Sequence, residues 1–120
     1  MTNILEKIIQ EKKEALEIIK KNNSLSSLED KIKTIKTFLN FKDAISNNKK
    51  VSLISEIKKA SPSAGILVKN FNHIDIAKLY VDNGATCLSV LTEEKNFLGK
   101  LNYIKDIKDN FKIPVLAKDF

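Results

Sequence analysis

Apolar residues recur along the first third of the chain at the spacing of an α-helix. Ile4, Leu5, Ile8, Ile9, Ala15, Leu16 and Ile19 fall on one stripe, with Lys and Glu opposite, which predicts a helix over residues 3–21. The polar run Asn22-Asn23-Ser24 ends it. A second helical stretch is expected from about Ser27, with Leu28, Ile32, Ile35, Phe38 and Leu39, and a short third one holding Phe41, Ala44 and Ile45. Asn47-Asn48-Lys49-Lys50 reads as a turn or linker.

After residue 50 the period changes. Val51–Ile57, Thr86–Leu91 and Ile113–Ala117 are short, mostly continuous apolar runs, the pattern of strands covered on their faces. Between them lie two helical patterns. Residues 74–83 place Ile76, Ala77 and Tyr80 on one side, with Asn72 as N-cap and Gly84 as stop; residues 99–110 do the same with Leu101, Ile104 and Ile107. Strand, helix, strand, helix, strand predicts parallel βαβ units. The chain therefore divides into a helical extension, 1–50, and an α/β segment, 51–120. The third strand runs to the last residues with no helix after it, so the segment reads as the front part of a larger α/β protein, or a truncated product of one.

Composition narrows the function classes. The chain has 120 residues, 42% of them hydrophobic, enough for a packed core. No apolar run approaches the roughly 18 residues of a membrane helix, and the start lacks the apolar stretch of a signal peptide, so the expectation is a soluble cytoplasmic protein. The net charge is +6, and all 21 basic residues are lysine. Without arginine or tryptophan, and with lysines spread along the chain among acids, a nucleic-acid-binding module is disfavoured; most lysines read as solvated helix faces. One cysteine excludes an internal disulfide and the usual multi-cysteine zinc sites.

The candidate chemistry lies at strand ends. Side chains alternate across a strand, so Glu56 and Lys58 share one face at the C-terminal end of the first, and Lys118 ends the third. Ligands gather at such ends in parallel α/β folds. The competing reading is solvated surface charge, which also suits Lys59, Glu94, Lys95 and Asp119. Cys87, inside an apolar strand, reads as an inert buried thiol, and His73, at a helix start, as a surface residue. Ser61-Pro62-Ser63-Ala64-Gly65 suits a loop. No Walker or dinucleotide motif is present.

At these positions the sequence resembles a known family. Leu53-Ile54-Ser55-Glu56-Ile57-Lys58-Lys59-Ala60-Ser61-Pro62-Ser63-Ala64-Gly65 is similar to the first-strand motif of indole-3-glycerol phosphate synthases. Gly84-Ala85, Leu88-Ser89-Val90-Leu91-Thr92-Glu93 with Phe97 and Gly99, and Pro114-Val115-Leu116-Ala117-Lys118-Asp119-Phe120 follow in the family's order. The pattern differs at Ala64, where many members carry a basic residue.

The resemblance implies an α/β fold, the first three strands of a (β/α)8 TIM barrel behind an N-terminal helical extension. It implies a carboxy-lyase of tryptophan biosynthesis that converts 1-(2-carboxyphenylamino)-1-deoxyribulose 5-phosphate into indole-3-glycerol phosphate, CO₂ and water, with no cofactor and no metal. Lys118 would be the general acid at the ketone. Lys58 would contact substrate anionic groups and be available as a proton source in the dehydration. Glu56 would orient Lys58, Ser61 would contact substrate, and Phe97 and Phe120 would wall the aromatic ring. A lysine buried in a barrel mouth is expected to have a lowered pKa, which suits Lys118 as a proton donor, while Glu56 keeps Lys58 charged. A complete barrel takes roughly 250 residues, so the family's general-base glutamate and phosphate site would lie beyond residue 120. The expected partners are a phosphorylated small molecule and the missing C-terminal barrel segment, with no nucleic acid and no membrane, and the 120-residue chain alone is expected to be inactive. A non-catalytic partial barrel needing a partner fragment stays open as the alternative.

Overall fold

The computed structural model describes residues 3–47 and 49–120; the first two residues of the chain, and Asn48 in the expected linker, lie outside the described residues. Two compact units are distinguished, Met1–Phe38 and Leu39–Phe120.

The first unit holds α1 (Ile4–Asn22) and α2 (Leu25–Thr34). Both starts are fixed by side chains. Asn3 Oδ1 accepts the N–H of Glu6 at 2.9 Å while Glu6 Oε2 accepts that of Asn3 at 3.3 Å, a reciprocal capping box. Ser24 Oγ accepts the N–H of Ser27 at 3.2 Å. Neither helix has a buried residue. α2 is shorter than its apolar pattern suggests. The Thr34 hydroxyl donates to Lys31 O at 2.7 Å and Ile35 turns extended, so Ile35, Phe38 and Leu39 lie past the helix end. A β-branched hydroxyl residue that bonds back to the preceding turn is a poor place to continue a helix.

The second unit is built on a parallel sheet. α3 (Phe41–Ser46) precedes β1 (Ile54–Ile57). A two-stranded antiparallel hairpin, β2 (Ala60–Ser61) and β3 (Gly65–Ile66), follows immediately. Then come α4 (His73–Asp82), β4 (Cys87–Leu91), α5 (Asn102–Asn110) and β5 (Val115–Lys118). The sheet order is β1-β4-β5, all parallel, with Ile54 opposite Cys87 and Leu88 opposite Val115. β5 starts at Val115 rather than Ile113 because Pro114 has no N–H to give the ladder; its carbonyl still accepts Leu88 N–H at 2.9 Å.

Both crossover helices pack on one face of the sheet. Ile57, Leu88 and Val90 from the strands meet Ala77 of α4 and Ile107 of α5, with Ile113, and Phe71, Ile74, Tyr80, Tyr103, Ile104 and Phe111 fill in around them. α4 is capped as its sequence predicts. Asn72 Oδ1 accepts the N–H groups of Ile74 and Asp75, and Gly84 at φ 88° closes the other end, with Gly84 N–H to Val81 O and Ala85 N–H to Tyr80 O. The loop expected at residues 61–65 is the turn of the hairpin. Ser61 Oγ accepts the N–H of Ala64 at 3.2 Å, and Gly65 takes a left-handed φ of 66°. Among the described residues no helix is long and apolar enough to cross a membrane.

Two side chains outside the site need comment. Cys87 is fully buried in β4, and burial pushes its thiol pKa up, as expected of an inert core thiol. His73 is not a plain surface residue. Its Nε2 lies 2.9 Å from Asp106 Oδ2 and its ring stacks on Tyr103 at 4.1 Å, so it ties α4 to α5. The correction comes from α5, whose acid and aromatic the sequence reading had not set beside the histidine.

Candidate active site

The opposite face of the sheet carries no crossover helix. Alternation puts Ile54 and Glu56 of β1, Cys87, Ser89 and Leu91 of β4, and Leu116 and Lys118 of β5 on this side. Glu56 is level with Ser89, and Lys118 with Leu91. Neighbouring strands lie about 4.8 Å apart, so the backbones of β1 and β5 are roughly 10 Å apart across β4. Lysine is long enough to reach back over the short side chain of Ser89.

Lys118 does so. Its Nζ donates to Glu56 Oε2 at 2.7 Å, and Lys58 Nζ stands 2.9 Å from Glu56 Oε1. Each carboxylate oxygen thus holds a separate ammonium. The three side chains that strand alternation singled out meet at one point, at the C-terminal ends of β1 and β5. Glu56 is anchored from behind by α4, whose Tyr80 hydroxyl donates to Glu56 O at 3.1 Å. Lys118 is anchored by β4: the Thr92 N–H and hydroxyl both donate to Lys118 O, at 3.0 and 3.3 Å.

The electrostatics follow from this sharing. Partial burial works against ionisation of Glu56, but the hydrogen bonds and charges of Lys118 and Lys58 outweigh it, and its carboxyl lies below the usual value. For Lys118 the shift in this chain runs opposite to that expected of a buried lysine. The hydrogen bond to Glu56 raises its pKa above the usual lysine value against a smaller effect of burial, because its side chain is 46% exposed and ion-paired rather than sunk among apolar groups. Two ammoniums around one carboxylate leave a net positive charge, an arrangement that attracts an anion and offers N–H donors to a developing oxyanion.

The other sequence candidates lie at the same end of the strands. Ser61, in the hairpin after β1, has its hydroxyl engaged by Ala64 N–H and lies 3.5 Å from Ser63 Oγ. Phe97 is half-buried in the loop after β4. Phe120, 79% exposed, follows Asp119, whose φ of 53° turns the chain away from β5. No group of three His, Cys, Asp or Glu side chains that could hold a metal ion occurs among the described residues.

Two residues were missed by the sequence reading, Tyr80 as a support for Glu56, and Glu93. Glu93 is buried and accepts backbone N–H groups from its own loop. The available signal was an acid two residues past the mostly apolar strand Cys87–Leu91, in a segment ending at Gly99.

Residues 5–120 match the family model described as indole-3-glycerol phosphate synthase. A protein of that name from Desulforamulus reducens is 45% identical over 117 residues, covering 98% of this chain and 44% of the relative. One from Trichodesmium erythraeum is 40% identical over 119 residues, covering 98% and 40%, and one from Legionella pneumophila (strain Lens) is 43% identical over 121 residues, covering 100% and 46%. The chain spans less than half the length of these curated relatives.

Proposed function

The chain belongs to the indole-3-glycerol phosphate synthase family, and from that premise we propose that it forms the substrate-facing front part of such a synthase, a carboxy-lyase of tryptophan biosynthesis acting in the cytoplasm. The single observation that carries the proposal is the carboxylate of Glu56 held between Lys58 and Lys118 at the C-terminal end of a parallel sheet. The substrate is 1-(2-carboxyphenylamino)-1-deoxyribulose 5-phosphate, a phosphorylated small molecule rather than a nucleic acid.

Ring closure moves electrons onto the ketone oxygen of that substrate. An ammonium hydrogen-bonded there stabilises the charge and delivers a proton. Lys118 takes this role. It stands as an ammonium on Glu56, and the ketone oxygen replaces Glu56 as its hydrogen-bond partner. Lys58 remains with Glu56, anchors substrate anions and is available for the dehydration. Ser61 contacts the substrate from the hairpin, and Phe97 and Phe120 wall its aromatic ring.

In this reading residues 51–120 are the first three βα units of a (β/α)8 barrel, behind a helical extension at 1–50. What supports a barrel is the sheet order β1-β4-β5 with both crossover helices on one face. A doubly wound sheet places them on both faces. The free face becomes the barrel interior, and the half-exposed Ile54 and Leu116 are covered by strands of a C-terminal segment that brings the general base and the phosphate site. The 120-residue chain alone is then inactive.

The test is to assay indole-3-glycerol phosphate formation by the chain alone and together with the C-terminal remainder of the Desulforamulus reducens relative. Silence alone and turnover in the mixture are expected, with Lys118→Ala abolishing the turnover. Product from the chain alone refutes the need for a second segment, and near-normal turnover by Lys118→Ala refutes the assignment of the acid.

A further inference from the structure

The loop after β4 is held from inside by a carboxylate to which the proposed chemistry gives no task. Glu93 is 6% exposed. Its Oε2 accepts the backbone N–H of Asn96 at 2.6 Å and of Phe97 at 3.0 Å. Its Oε1 accepts that of Lys95 at 3.1 Å and the side-chain amide of Asn96 at 3.4 Å. The Glu93 carbonyl then takes the N–H of Gly99 at 2.8 Å and closes the loop. Closure requires glycine at that point, since a Cβ on Gly99 would lie 2.1 Å from the Leu91 carbonyl oxygen. Leu98 beside it is held at φ 53°, a conformation costly for a bulky residue and kept only where the surroundings enforce it.

Glu93 is unsuited to proton transfer. Burial opposes its ionisation, but the donors from Asn96, Phe97 and Lys95 outweigh that and keep the carboxyl below the usual range. Both oxygens already face donors. The carboxylate is instead the centre around which the chain folds, and this loop starts beside Lys118. Thr92, the residue before it, binds the backbone of Lys118, and half-buried Phe97 stands in its middle.

We propose that Glu93 is a positioning residue of the substrate pocket, which pre-forms the Glu93–Gly99 loop and so sets Phe97 beside the strand end that bears Lys118 before substrate arrives. The proposal rests on the synthase reading and adds to it a residue that touches neither substrate nor reacting atoms. Without the carboxylate, the N–H groups of Lys95, Asn96 and Phe97 lose their common acceptor, and binding must first reorder the loop. The loss falls on substrate affinity, because the ammonium that does the chemistry is held separately by Glu56.

The experiment is steady-state kinetics of the 120-residue chain together with the C-terminal remainder of the Desulforamulus reducens relative, carrying Glu93→Gln, Phe97→Ala or both. Glu93→Gln keeps the shape and one acceptor oxygen. KM is expected to rise about tenfold, the size of one weakened charge-assisted hydrogen bond, with kcat changed by less than about twofold. In the Phe97→Ala background the same substitution adds less than about twofold to KM, because the two residues act through one loop. Exchange of the Lys95, Asn96 and Phe97 amides speeds up while Leu88 and Val90 in β4 keep their protection. Glu93→Asp, which keeps the charge and shortens the reach, gives the same KM-specific rise and carries the test if Glu93→Gln does not fold. An unchanged KM in these variants, or an equal rise with and without Phe97, overturns the proposal while leaving the synthase reading in place. An unsubstituted enzyme without turnover overturns both.

Discussion

The two faces of the β1-β4-β5 sheet come from the same strands, yet they differ in almost every physical respect. On the helix-covered face Ile57, Leu88 and Val90 are 0–1% exposed and meet Ala77 and Ile107. On the other face the centre is closed, with Cys87, Ser89 and Leu91 buried, but the flanking strands show Ile54 at 46% and Leu116 at 48% exposure beside Glu56 and Lys118. One face is a finished core. The other mixes half-covered apolar groups with an ion triad. Period-two alternation lets one strand serve both: Ile57 stabilises while its neighbour Glu56 gathers the lysines.

The contrast is open to direct perturbation. Ile107→Ala, on the finished face, should cost about 2–5 kcal/mol in a urea unfolding curve, since it empties a fully buried isoleucine site. A smaller effect is expected of Glu56→Gln, on the order of 1 kcal/mol at neutral pH, because solvent screens a partly exposed triad. It is better recognised by its pH dependence. The folded-state carboxyl titrates below its ordinary value of 4.5, so its contribution is complete above that pH and is lost as the pH falls through the lower folded value. Melting temperatures of the parent should therefore fall on acidification below about pH 4.5 more steeply than those of the variant. Least of all, Leu116→Gln should change stability by less than about 0.5 kcal/mol in the chain alone, as a half-exposed edge residue has little burial to lose. A cost comparable with Ile107→Ala would mean that the second face is as closed as the first.

Much of the sheet unit was legible because its signals are local. Apolar runs, Asn72, Gly84 and Pro114 mark strands and helix ends through their own backbone chemistry. The meeting of Glu56, Lys58 and Lys118 was legible too, since alternation and parallel order leave few alternatives. What escaped depends on partners distant in sequence or on competition within a turn. The direction of the Lys118 pKa in this chain was not foreseen because proximity to Glu56, 62 residues away, decides it, and exposure leaves burial the smaller influence. His73 meets its acid on another helix. The early end of α2 turns on one hydroxyl, and the tie between Tyr80 and β1 on one phenol. Glu93 was missed because a glutamate that folds a loop around itself and one that faces water look alike in a string of letters.

Cys87 gives the central strand a use unrelated to chemistry on a substrate. It is the sole sulfhydryl of the chain, it has no exposed surface, and it stands opposite Ile54 of β1 at the start of the central strand. An alkylating reagent reaches it only when the cover over that part of the sheet opens. The speed of its labelling therefore clocks how often the middle of this protein comes open, with no probe added and no residue changed.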